Sequence, residues 1–257
     1  MPDQKKILDF AVDAGEILLN NGAEIFRVQD TMEMIAQAYN ANTFHAYVLT
    51  NGIFASVDDE GHTHNGEIRH VPSANVHMGR IVAVNSLSRR IVEGKVPLEA
   101  AQKELNEIRN IPYSRNIARI GACAVGSACF SYLFGGTVFD ALAAFIAGIF
   151  LQFFILFAEK RHINKIILNI LAAAIVSVVS FIVLSLGLGN SIDKIIIGAI
   201  IPLVPGMAMT TGIRDFANGD YLSGTIRMID ALLIGGSIAI GVGAVLIAIG
   251  SFTGVAI

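Results

Sequence analysis

Val138-Phe-Asp-Ala-Leu-Ala-Ala-Phe-Ile-Ala-Gly-Ile-Phe-Leu-Gln-Phe-Phe-Ile-Leu-Phe-Ala158 carries one charge in 21 positions, which settles the solvent this part of the chain is built for. An α-helix rises ~1.5 Å per residue, so about 20 apolar residues cross a hydrocarbon core ~30 Å thick. Four further segments of this kind lie around it, at roughly 117–134, 166–187, 192–213 and 229–250. Gly135-Gly136, Lys160-Arg161, Gly187-Leu188-Gly189-Asn190 and the stretch 214–228 separate them. The 257 residues are 54% hydrophobic and 15% charged, with mean hydropathy +0.62. Soluble chains sit near 45–50% apolar and about 25% charged. Residues 1–116 hold 26 of the charged side chains and the remaining 141 positions hold 13, so a polar part precedes a membrane part. That division excludes a soluble globular enzyme, a disordered chain and a secreted disulfide scaffold.

A net charge of −3 and a pI near 6.1, with no basic run, leave no electrostatic footprint for nucleic acid. Cys123 and Cys129 both lie in an apolar stretch, six residues apart on different helix faces, and read as packing residues. No signal peptide is expected, because charges interrupt residues 1–19 every few positions. Orientation follows from the basic residues of short loops. Arg109, Arg115 and Arg119 flank the start of the first span, Lys160, Arg161 and Lys165 follow the second, and Arg214 and Arg227 follow the fourth. The loop after the first span and the tail after the fifth have none, and Lys194 stands alone in the loop after the third. The expectation is a cytoplasmic N-terminus, a C-terminus outside and residence in the plasma membrane.

The polar part, residues 1–113, reads as an α+β domain ahead of the membrane part, 114–257. Ile7, Phe10, Ala11, Ala14, Ile17 and Leu18 recur at helical spacing over 4–19, with Asp9, Asp13 and Glu16 on the other face. Asn20-Asn21-Gly22 stops that helix, and Asn21 with Glu24 has the spacing of a capping box for a second helix over about 23–39. Alternation over 43–50 and at Ile53, Ala55 and Val57 predicts two strands around Asn51-Gly52. A turn at Asp58–Gly61 and a third strand within 62–71 follow. Pro72-Ser73 then supplies an N-cap for a helix from about 74 to Glu93, and Pro97 opens a last helix to about Asn110.

The strongest local feature is Ile201-Pro-Leu-Val-Pro-Gly-Met-Ala-Met-Thr-Thr-Gly-Ile-Arg-Asp215. Pro202 and Pro205 each remove a backbone donor and Gly206 loosens the chain, so the fourth span should break near its middle. In lipid, broken backbone is tolerated only against protein or a water-filled cavity. The half-helix beginning near Met207 would turn its positive end to the break, which suits a substrate carboxylate, and Thr210 and Thr211 add hydroxyls one turn on. The competing reading is a packing kink, but two prolines and a glycine exceed what one kink needs. Asp230, at the start of the fifth span, is either a proton or cation carrier or an interfacial helix cap. Arg214, Asp215, Asp220 and Arg227 read as a solvated, mutually paired loop with a gating role open to them rather than as direct ligands. Asp58, Asp59, His62 and His64 match no metal template, and no cofactor or metal is called for. No nucleophile motif is present to support an enzyme. Gly121, Ala122, Gly126, Ala128, Gly235, Gly236, Gly241 and Gly243 read as close-packing positions. Phe145, Phe150, Phe153, Phe154 and Phe157 read as lipid-facing bulk.

Gly22-Ala-Glu-Ile-Phe-Arg-Val-Gln-Asp-Thr31, Asn85-Ser-Leu-Ser-Arg-Arg90, Pro202-Leu-Val-Pro-Gly206 and Arg214-Asp-Phe-Ala-Asn-Gly-Asp-Tyr-Leu-Ser-Gly224, followed by Arg227 and Asp230-Ala, resemble the threonine/serine exporter family. The likeness spans nearly the whole chain. Full-length members combine a cytoplasmic-type soluble domain with ten spans, so the resemblance implies the longer component of the two-component form, one member of which exports succinate. It also implies a second small polytopic membrane subunit carrying the remaining spans. The sequence therefore reads as a polytopic α-helical membrane protein, five transmembrane helices preceded by a soluble α+β domain. Its expected function is one subunit of a secondary exporter for a small carboxylate metabolite, with Pro202, Pro205, Gly206, Thr210 and Thr211 at the substrate site. Asp230 is the first coupling candidate. A membrane-anchored hydrolase and a metabolite-sensing scaffold are the alternatives, and glycine-rich, broken spans argue against a mere tether.

Overall fold

A computed structural model describes residues 3–41, 43–58, 64–72, 76–161 and 163–253. The chain forms two compact units: one comprises the residues up to Tyr113 together with Met209–Met228, the other Ser114–Ala208 and the residues from Ile229 onward.

In the first unit, α1 (Gln4–Asn20) is capped by Asp3, whose Oδ1 accepts from Lys5 N at 3.1 Å. Its expected stripe is buried, but so are Leu8, Val12 and Leu19. The burial is broader than one stripe because α1 is central: it touches α2 (Ile25–Ala38), β2 (Gly52–Asp58), β3 (His64–His70), α3 (Met78–Val92) and α4 (Leu98–Arg109). Phe10 sits at its middle, edge-on to Tyr39 with ring centroids 6.1 Å apart. The strands form an antiparallel meander, β1 (His45–Leu49) on β2 on β3. Leu49 pairs with Gly52, so the tight turn is Thr50-Asn51, one residue earlier than the Asn51-Gly52 expected. Ile53, Ala55 and Val57 alternate into the core.

Two local expectations change. No capping box precedes α2: Glu24 is itself the N-cap and makes no side-chain capping bond, while Asn21 Nδ2 turns back to donate to Ile17 O. At α3 the N-cap is His77, whose Nδ1 accepts from Arg80 N at 3.2 Å. Ser73, the predicted start at 74 and the Asp59–Gly61 turn lie outside the described residues. The polar face of α1 is tied down by ion pairs. Arg69 Nη1 reaches Asp13 at 3.2 Å and Glu16 at 2.8 Å, and Arg109 reaches the same two carboxylates at 3.3 and 3.2 Å.

The second unit is built from α5 (Asn116–Leu133), α6 (Val138–Glu159), α7 (Lys165–Ser185), α8 (Ile192–Ile200) and the later part of α10 (Tyr221–Thr253). Among the described residues, α6, α7 and α10 are each long and apolar enough to cross a membrane. A fourth crossing exists if α8 and the bent helix after it, α9 (Gly206–Ala217), count together. The fifth expected crossing, α5, is diluted by Asn116 and Arg119 in its first turn and by Ser127 and Ser131. Arg119 holds both oxygens of Glu159, at 3.1 and 2.6 Å.

The core here is made of small side chains: Ala143, Ala144 and Ala147 on α6, Ala172 and Ala173 on α7, Ala199 on α8. Small residues let helix backbones approach, which is how helices associate where the solvent is as apolar as the interface. Gly198 is one example, since a Cβ there would lie 2.5 Å from Ser131 N and 2.6 Å from Ser131 Cα. Of the glycines expected to do this, Gly241 meets a neighbour, the backbone of Ile170, whereas Gly121, Gly126, Gly235, Gly236 and Gly243 meet no atom within 4 Å. Phe150, Phe153 and Phe157 point outward as expected, but Phe154 packs on the core and Phe145 is half-buried. Asp140 is fully buried as a hub. Its Oδ2 accepts from Thr137 N and Oγ1 at 2.8 and 2.7 Å, and its Oδ1 from Asn190 N and Ser191 N at 2.6 and 2.9 Å. The turns before α6 and α8 are thereby joined.

Candidate functional site

The fourth hydrophobic segment is broken where its prolines place the break. After α8 the chain makes a single 3-10 turn, Ile201–Leu203, then an extended Val204 (φ −63°, ψ 130°), and α9 starts at Gly206. Pro202 and Pro205 have no N–H to continue the ladder. What remains is local: Val204 N donates to Ile201 O at 3.0 Å and Gly206 N to Val204 O at 2.8 Å. The two helices are bent by 59° across this break. Pro202 and Gly206 are exposed and Pro205 is half-buried. A side chain built at Gly206 meets nothing within 4 Å, so packing among the described residues does not demand glycine there. The first turn of α9 presents the positive end of a helix to this opening.

Two turns on, α9 carries a second set of groups. Thr211 and Asp215 are buried one turn apart, and α10 brings Arg227 against them. Arg227 Nε lies 3.0 Å from Asp215 Oδ2, Nη1 donates to Thr211 Oγ1 at 3.0 Å, and Nη2 donates to Ala23 O at 3.2 Å. Arg214, on the exposed side of α9, pairs with Glu24. A close backbone approach permits this: a Cβ at Gly224 would come 3.0 Å from Gly212 O. The stretch expected as a solvated loop is therefore mostly helical, with only Asn218–Asp220 between α9 and α10. Its central pair is shielded, with the Asp215 side chain 0% exposed and that of Arg227 16% exposed. Gly212 and Gly224 exclude water by bringing the helices together, so solvation gives way to a buried ion pair. Within the first unit, Ala23, Glu24, Thr211, Arg214, Asp215 and Arg227 form one cluster.

Thr210 is exposed on the same helix. Asp230 belongs to the second unit, where it is 53% exposed and 3.3 Å from Lys165 Nζ in a surface pair. Among the described residues no group of His, Cys, Asp or Glu is arranged to hold a metal. Asp59, His62 and the His64 side chain lie outside them, and the Asp58 backbone is bonded to Thr43 Oγ1. Cys123 and Cys129 are both free thiols.

Glu24 and the Ala23 carbonyl have no spacing signal that places them here, being 190 and 204 residues from their partners. Glu24 reads locally as a helix-capping residue, and only its place in a motif-like stretch marks it. Asp140 was not singled out in the sequence, although Thr137-x-x-Asp140 has capping-box spacing, and the structure makes that box.

No solved structure matches the chain. Among curated proteins, the "Threonine/serine exporter" of Corynebacterium glutamicum is 25% identical over 245 residues, covering 92% of this chain and 50% of that protein. The "Probable threonine/serine exporter" of Mycobacterium tuberculosis (strain ATCC 25618 / H37Rv) is 25% identical over 252 residues, 93% of this chain and 45% of that protein. The chain thus spans about half the length of the curated relatives it matches. The threonine/serine exporter family model matches residues 9–248, from the second turn of α1 through the apolar length of α10. Across the broken segment, the buried cluster and both compact units, this multi-pass membrane chain belongs to the threonine/serine exporter family.

Proposed function

We propose that the chain is one subunit of a secondary active exporter for a small carboxylate-bearing metabolite, either threonine and serine or a dicarboxylate such as succinate. It works with a second small polytopic membrane subunit. Family membership and the names of the curated relatives support the exporter role. In it, α5 and the bent α8–α9 pair join α6, α7 and α10 as five crossings. An odd number of crossings turns a following unit of the same kind upside down, the inverted arrangement common in secondary transporters. The basic-loop bias supports a reading with the polar residues 1–113 in the cytoplasm and the C-terminus outside, in the plasma membrane.

The observation that carries the reading is the break at Pro202–Gly206. A single-span tether has no use for a bent helix pair whose glycine is not required by packing. The α9 end at Gly206, with Pro202 and Pro205 shaping the turn and Thr210 and Thr211 following, is the proposed carboxylate site. Arg214, Asp215, Arg227 and Asp230 are the charged groups available for gating and coupling. The test is release of threonine, serine and succinate from cells carrying the chain with its partner, with the partner alone, or with Gly206→Leu. Export should need both subunits and be abolished in Gly206→Leu, which still inserts, because a bulky side chain fills the space beside the α9 end. Normal export by Gly206→Leu would reduce the break to a packing kink, and full activity of the purified chain alone would remove the second subunit.

A further inference from the structure

Asp215 is the one carboxylate of the second half of α9, and its setting differs from every other ionisable pair described above. Its side chain is fully buried, and neither carboxylate oxygen accepts a hydrogen bond among the described residues. Asp140, equally buried, accepts four. A carboxylate that receives several N–H and O–H bonds is held in its charged form, whereas one without them depends entirely on its counter-charge. Among the described residues, the counter-charge paired with Asp215 is Arg227, through Nε at 3.0 Å. Arg227 is held independently by Thr211 Oγ1 and Ala23 O, so its position does not depend on Asp215 staying charged. The other charged groups near Asp215 among the described residues are Glu24, Asp220 and Arg214, and Glu24 is itself committed to Arg214.

We propose that Asp215 is the proton-carrying carboxylate of this protein. It takes one proton from water to become the neutral acid and gives it back to water. Each uptake leaves Arg227 without its counter-charge. The cluster thereby alternates between a neutral ion pair and a lone guanidinium, which is positive and so attracts a carboxylate. Asp230 does not share these features: its exposed carboxylate is solvated and matched by Lys165. The use of this proton in transport rests on the exporter reading above, but the titration itself does not.

The experiment is infrared difference spectroscopy of the purified chain in lipid nanodiscs between neutral and acidic pH, run beside efflux of preloaded threonine or succinate from cells holding both subunits. A protonated carboxyl band at the high frequency of an acid without hydrogen-bond partners, separate from that of the solvated carboxyls, should appear on acidification in wild type and in Asp230→Asn, and vanish in Asp215→Asn. In Arg227→Gln, loss of the counter-charge should let the protonated form persist to higher pH. Asp215→Glu, which keeps a titrating group should Asn perturb folding, should retain the band. Efflux in wild type should vary by roughly tenfold per pH unit on the limb set by one proton, and by less than about twofold in Asp215→Asn. A band that survives Asp215→Asn, or that disappears in Asp230→Asn instead, overturns the proposal. If the band follows Asp215 while wild-type cells release neither substrate, the titrating group stands and the exporter reading fails.

Discussion

Gly198→Ala should destabilise this protein by forcing two of its membrane helices apart. Helices α5 and α8 meet where Gly198 faces Ser131, and a Cβ at 198 would lie 2.5 Å from both Ser131 N and Cβ and 2.6 Å from its Cα. Carbon atoms in good contact sit about 3.5–4.0 Å apart, so the overlap is roughly 1 Å. Two of the three atoms struck belong to backbone, which cannot rotate away like the end of a flexible side chain. The helices must therefore separate along a seam lined by Ser131 and Ala199, both 0% exposed. Overpacking a well-filled core costs about 1–3 kcal/mol, and a clash with backbone belongs at the upper end, about 3 kcal/mol. Gly126→Ala, on α5 itself, is the internal control. Its Cβ would meet nothing within 4 Å, so the substitution should gain about 0.5–1 kcal/mol from helix propensity. The assay is reversible unfolding of the purified protein in mixed micelles, with the three proteins compared at one protein-to-detergent ratio. The double variant Ser131→Gly/Gly198→Ala should recover only part of the loss, because removing the Ser131 Cβ leaves its N and Cα in place. Equal stability of Gly198→Ala and wild type would mean that α5 and α8 do not approach through this glycine, and the small-residue core would have to be redrawn.

Two further outcomes follow from the polar unit. Tyr39 donates its hydroxyl to Val96 O at 3.0 Å, and burial pushes its pKa up from 10.0 to about 12. Because the folded value is the higher one, its contribution to stability is fully present below pH 10 and is lost as pH rises to about 12. Chemical denaturation followed across that window should show the loss in wild type and not in Tyr39→Phe, which should also be weaker by about 1 kcal/mol at neutral pH for the missing hydrogen bond. Lys103→Cys, on the exposed side of α4, should react with a membrane-impermeant maleimide only after cells are permeabilised. Labelling in intact cells would reverse the proposed orientation.

Features governed by neighbours a few residues apart were readable in the chain. The apolar stripe of α1, the alternation of Ile53, Ala55 and Val57, and the loss of the helical ladder at Pro202 and Pro205 each depend on local geometry and on donors the residue types do or do not possess. The break that carries the proposed site was legible for the same reason. Local competition decided the misreadings. Asn21 donates through Nδ2 to Ile17 O, one turn back, instead of accepting from the N–H groups of the α2 end it was expected to cap, and Thr50-Asn51 closed the hairpin one residue early.

Helix rotation in the membrane unit could not be read, because lipid and protein core are equally apolar and a sequence gives no contrast between the two faces. Tertiary packing therefore chose Gly198 and Gly241 as contact points and left Gly121, Gly126, Gly235, Gly236 and Gly243 open. It also turned an expected solvated loop into a buried pair, since only folding brings Gly212 against Gly224 and Arg227 against both Asp215 and Ala23. By itself the sequence determined where the chain is apolar, where its helices must break and which charges stand near those breaks. Which of those charges lose their water depended on contacts between segments up to 204 residues apart, and desolvation is a property of such contacts rather than of residue type.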